Sequence, residues 1–108
     1  MMAAITLPEA VEQFVTRTNA HDVDVLLAVF APEATVGDDG KTYTTEAEIR
    51  GWIQSHLIDP KVVLTPTAYE GDRMIASGDG DFPGGPLPFA FDFAIQDGLI
   101  TRLAIEAV

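Results

Sequence analysis

The sequence predicts an α+β domain, with helices segregated onto one face of an antiparallel sheet. Three observations carry that expectation. Apolar residues recur at helical spacing before Pro60 and at strand spacing after it. Two capping-box patterns, Thr6-Leu7-Pro8-Glu9 and Thr45-Glu46-Ala47-Glu48, open helical stretches in the first half. Asp97-Gly98, a strong hairpin signal, joins two alternating runs in the second. A length of 108 residues fits one domain spanning 1–108.

Thr6 is the expected N-cap of a first helix. Leu7, Val11, Phe14 and Thr18 share its face, and it ends near Asn19. Asp22 caps a short second helix, with Val23, Leu26, Leu27 and Phe30 on one face and Pro32 as its stop. Ala34-Thr35-Val36 reads as a short strand, and Asp38-Asp39-Gly40 as a turn. The third helix presents Ile49, Trp52, Ile53, His56 and Leu57, and ends at Pro60. Strands are then expected over 62–69, 73–82, 88–96 and 99–108. In the third of these Phe89, Phe91, Phe93 and Ile95 point one way, and Ala90, Asp92 and Ala94 the other. Gly78 and Gly80 inside the second predict a bulge or bend that curls the sheet around the helices.

Charge narrows the partners. Six Lys and Arg against 17 Asp and Glu leave a net charge of −11. Such a surface repels phosphate backbones and anionic lipid, so neither nucleic acid nor membrane is expected as a partner. The plain reading of the charge is solubility. With no cysteine there is no disulfide and no thiolate chemistry. Two histidines without cysteine fit no zinc spacing, so no metal is expected. Neither a GxGxxG nor a P-loop occurs, and no cofactor is expected. No stretch approaches the ~20 apolar residues of a membrane span. The first residues lack the basic and apolar regions of a signal peptide, which makes a cytoplasmic location the expectation.

Asn19-Ala20-His21-Asp22-Val23-Asp24, Phe30-Ala31-Pro32-Glu33-Ala34-Thr35-Val36, Ile49-Arg50-Gly51-Trp52 and Asp97-Gly98-Leu99-Ile100 together carry a resemblance. The chain, over about 7–105, resembles the SnoaL-like branch of the NTF2-like superfamily, which includes polyketide cyclases and ketosteroid isomerases. The resemblance implies a cystatin-like cone. Three N-terminal helices would pack on a strongly curved antiparallel sheet, around an interior pocket, and two copies would pair through the sheet. The superfamily also holds members without catalysis, so fold alone assigns no activity. Against the ketosteroid isomerases, Asp38 matches the position of the general base. Phe14 stands where they carry an oxyanion tyrosine, and it has no hydroxyl. Phe91 stands where they carry a protonated aspartate. Asp92 is one residue away, and a slip of one residue would change its face.

Each candidate has a functional and a plain reading. Asp38 is a base that abstracts a proton α to a carbonyl, or a solvated turn residue. His56 is a general acid, or a satisfied histidine at the core edge. Tyr43 supplies a hydroxyl, or lies on the surface. Trp52, Phe14, Phe30, Phe89 and Phe91 wall an apolar pocket, or fill the cone. Three functions follow. The first is proton transfer on a small, largely apolar carbonyl compound, with Asp38 as base and His56 or Tyr43 as acid. The second is a non-catalytic binding module using the same pocket. The third is a dimeric interaction module with a filled cone.

Overall fold

Helices α1 (Glu9–Ala20), α2 (Val23–Leu27) and α3 (Glu46–Ile53) pack against one six-stranded sheet. Its strands are β1 (Phe30–Asp38), β2 (Lys41–Tyr43), β3 (Val63–Glu70), β4 (Arg73–Asp79), β5 (Leu87–Gln96) and β6 (Leu99–Ala107). The computed structural model describes residues 6–38, 40–81 and 85–108. The strand order is β2-β1-β6-β5-β4-β3. Every neighbouring pair is antiparallel except β1 and β6, which run parallel. The sheet is therefore mixed, not purely antiparallel as expected. The meander from β3 to β6 delivers the last strand beside β1, running the same way.

The first capping box is not used. Pro8 is the N-cap of α1 at φ −57°, and no side chain bonds there. Its ring presets a helix-compatible φ without a side-chain cap. Asp22 caps α2 as expected, accepting from the backbone of Asp24 and Val25. The second box does form. Thr45 Oγ1 accepts from the Glu48 N–H at 3.1 Å. The Glu48 carboxylate accepts from the Thr44 N–H at 2.9 Å and the Thr45 N–H at 3.3 Å. These bonds, that from Thr44 foremost, hold the Glu48 carboxyl below its ordinary 4.5. A carboxyl depressed by folding adds stability above its unfolded pKa and loses it as pH falls through the folded one. The stability gap between the chain and Glu48→Gln is thus expected to be full at neutral pH. It closes as pH falls below 4.5 and through the depressed value, as urea denaturation at stepped pH would read.

Phe30, expected on the face of α2, is instead the first residue of β1, because α2 ends at Leu27. Pro32 lies within β1, in the irregular stretch between the Phe30–Ile100 and Thr35–Arg102 pairs. No ladder bond is required of it there. Strand β2 was not foreseen, since three residues are too few to show alternation. It pairs with β1 across the expected turn, from Asp38–Lys41 outward. Asp39 in that turn, and Phe82 at the end of the expected second long strand, lie outside the described residues. The bulge expected at the glycines is elsewhere. Register shifts in β3 between Pro66 and Ala68, while Gly78 pairs regularly with Leu64 and Leu87. Asp97 and Gly98 adopt φ 53° and 78°, as a two-residue hairpin loop requires.

Between helices and sheet lie Phe14, Leu26, Trp52, Ile53, Met74 and Leu103, each under 2% exposed. Phe14 meets Phe30, Phe91 and Phe93 edge-on, with ring centres 6.2, 6.0 and 5.7 Å away. The end of α1 is fastened to edge strand β3. Asn19 pairs with both the N–H and the carbonyl of Leu64, at 2.7 and 3.0 Å. His21, the left-handed C-cap of α1, places Nε2 2.8 Å from the Val62 carbonyl. On the outer sheet face Arg73 pairs with Asp92 at 3.2 Å and with Glu106. The register sets Arg73 directly opposite Asp92. Among the described residues no helix is long and apolar enough to cross a membrane.

Candidate functional site

A cavity of about 490 Å³ opens between the end of α3 and the inner faces of β3 to β6. Asp38 is the last residue of β1 and sits in register with Ile105 of β6. Both line the cavity. Trp52, on the inward face of α3 and 1% exposed, donates its indole N–H to Asp38 Oδ2 at 2.9 Å. Among the described residues that is the only hydrogen bond recorded for the carboxylate side chain.

Beyond Ile53 the helix loosens into one π turn, Gln54–Ile58. Such turns recur at functional sites, because the extra residue re-aims the side chains that follow. Here it carries His56 and Leu57, which both line the cavity. The His56 ring stacks on Trp52 with centres 6.4 Å apart, and its Nδ1 lies 2.8 Å from Ser55 Oγ. Tyr43 stands behind this cluster, 6.3 Å from Trp52 and 6.5 Å from His56, and is not part of the lining.

The remaining walls are apolar: Val62 and Leu64 on one side, Phe89 and Phe91 on another. Of the expected wall residues, Trp52, Phe89 and Phe91 stand on the cavity. Phe14 and Phe30 do not. They lie behind Phe91, in the core. The interior aromatic stripe thus divides, its deep rings packing the cone and its outer rings facing the cavity. Asp92 is on the outer face with Arg73 and offers the cavity nothing. Among the described residues no Lys or Arg lines the cavity, and Glu106, which does, is engaged by Arg73.

Sequence reasoning missed Leu57, Val62, Leu64, Gly78 and Ile105 as lining residues. Val62 and Leu64 carried a signal in their alternation. By helical spacing Leu57 shares the inward face of the third helix with His56, but that spacing alone does not show the π turn that carries both to the cavity. The resulting arrangement is one oriented carboxylate and one imidazole at the rim of an apolar hollow. Hollows of this kind, apolar with a few polar groups, are the usual form of a small-molecule site, and a carboxylate is a group able to accept a proton.

Residues 11–103 match the SnoaL-like domain. The chain belongs to the SnoaL-like family. A candidate polyketide cyclase from Sinorhizobium meliloti is 32% identical, over 93% of this chain and 95% of its own, with a TM-score of 0.83. The Mycobacterium tuberculosis protein RV0760c, solved with estradiol-17beta-hemisuccinate, is 18% identical over 95% of each chain, at a TM-score of 0.76. A Catenulispora acidiphila protein with a ketosteroid isomerase-like fold, in complex with trimethylamine, is 24% identical. It covers 94% of this chain and 86% of its own, at a TM-score of 0.73. At those last two identities the likeness shows the fold alone. No curated protein matches this SnoaL-like chain.

Proposed function

We propose that this SnoaL-like domain binds a small, largely apolar carbonyl compound in the cavity and moves a proton on it. Asp38 is the base, and His56 is the nearer of the two candidate acids, Tyr43 standing outside the lining. The observation that carries this reading is the Asp38 carboxylate on an apolar cavity, held in place by the Trp52 indole. Likeness to a candidate cyclase supports the same class of chemistry.

The test is deuterium exchange at the α carbon of 2-tetralone in heavy water, followed by NMR. The parent chain is expected to speed exchange over the buffer rate. Asp38→Asn is expected to keep binding and lose at least about 10²-fold of that rate, the usual share of a positioned base. Exchange that survives Asp38→Asn unchanged removes Asp38 from the role.

A second reading, binding without chemistry, is favoured by one observation. Among the described residues no Lys or Arg lines the cavity, and by the family resemblance Phe91 stands where the isomerases carry a second donor. Stabilising the developing oxyanion is usually the largest catalytic contribution. On this reading 2-tetralone raises the melting temperature and no exchange occurs.

The family resemblance also leads us to propose pairing of two copies through the outer sheet face. Ala104, which pairs with Asp92 of β5 and Gly37 of β1 in the register, is central to that face. Sedimentation is expected to show a dimer for the parent and a monomer for Ala104→Glu. A monomeric parent refutes the pairing.

A further inference from the structure

Strand β4 lays Met74, Ala76 and Gly78 in turn on the inner face of the sheet, so its side chains shrink toward the cavity. Beside it β5 lays Phe93, Phe91 and Phe89 on the same face. The first two rings are clamped, each against Phe14 and against one another. Phe89 is the last ring of the row. It is half-buried, and its one recorded ring neighbour among the described residues is Phe91, 6.5 Å away.

The Phe89 ring leans over Gly78. A Cβ at Gly78 would lie 3.1 Å from Cδ2 and Cε2 of that ring and 3.6 Å from Cδ2 of Leu64. Gly78 is not among the residues with positive φ, so its backbone does not require glycine. Glycine inside a strand also weakens the strand, and often marks a close approach. The close approach here is the Phe89 ring. With bare backbone beneath it the ring lies back on β4 and leaves the cavity open. A side chain at 78 would lift the ring into the space a ligand needs.

We propose that Gly78 sets the upper size of ligand the cavity accepts, by giving the Phe89 ring a bed on β4. The inference rests on the cavity being the ligand site. Trp52 is the sole tryptophan and lines that cavity, so its emission reports binding directly. Two ketones serve as probes, 2-tetralone and the larger benzanthrone. Gly78→Val is expected to weaken benzanthrone about 10-fold or more, a discrimination within reach of one or two methylenes in an apolar pocket. It should change 2-tetralone less than about 2-fold, as room remains for the smaller ligand. Gly78→Val/Phe89→Ala should recover benzanthrone binding. Gly78→Ala, which asks the ring to move only slightly, should give the same ordering at smaller amplitude if Gly78→Val does not fold. A crystal structure of the variant should show the Phe89 ring turned into the cavity. Equal loss of both ketones, no recovery in the double variant, or an unmoved Phe89 ring overturns the inference. If the parent chain binds neither ketone, the proposed function fails. The position of Phe89 in the variant crystal then decides the inference by itself, for it if the ring has turned in and against it if not.

Discussion

Phe14→Ala is expected to remove about 3–5 kcal/mol of folding stability. The parent ring is fully buried and meets three other phenylalanines edge-on. Truncation forfeits the transfer of the ring from water and leaves a void that rigid neighbours fill poorly. Each edge-to-face pair adds about 0.5–1.5 kcal/mol beyond burial. A domain of this size holds only about 5–15 kcal/mol in total. Urea denaturation should therefore show the midpoint falling by about a fifth or more of its parent value, with Phe14→Leu recovering most of the loss. A loss below about 1 kcal/mol, smaller than any core truncation of this kind, would mean that the four rings do not form one packed unit.

Trp52→Phe carries the second large effect, and it separates packing from polarity. Phenylalanine keeps an aromatic ring on the inward face of α3 but donates no hydrogen bond to Asp38. A bond to a charged group contributes about 1.5–3 kcal/mol, and the half-buried setting of Asp38 places the loss toward the lower end, about 2 kcal/mol. Repeating the substitution in an Asp38→Ala background closes a double-mutant cycle. The loss should shrink there, since no carboxylate is left to orient. An equal loss in both backgrounds would assign all of it to packing. The α-carbon exchange rate of 2-tetralone should fall as well, because a carboxylate that swings free spends less time in line with the substrate.

Much of the architecture is legible from residues alone, and the reasons are local. Asp22, Thr45 with Glu48, and Asp97-Gly98 each fix a boundary through a bond or a φ value that neighbouring residues supply. The errors arise where distant pairing decides. Phe30 has a helical spacing from Val23 and Leu26, yet its pairing with Ile100 of β6 draws it into β1. The parallel β1–β6 contact joins residues about seventy positions apart, and no short window contains it. The site follows the same division. Trp52 and His56 were legible as inward residues of the third helix, and Asp38 only through the position that the family resemblance gives it. That the indole bonds the carboxylate depends on how α3 crosses β1. The split of the phenylalanines into deep and lining rings depends on where α1 sets Phe14, which alternation along β5 does not record.

Strand β3 has a neighbour on one side only, and its other side is held by Asn19 and His21 at the end of α1. Val62 and Leu64, the residues so held, are also a wall of the cavity. That wall cannot breathe independently of the helix. Opening the hollow along β3 would require breaking the bonds of Asn19 and His21 at the last turn of α1, whereas the side bounded by the π turn and Phe89 carries no such fastening among the described residues. The same fastening would carry occupancy of the hollow outward to the helix end. A guest against Leu64 would steady β3, β3 would steady the helix end, and the His21 amide, bonded to Thr18 outside the lining, would report whether the hollow is full.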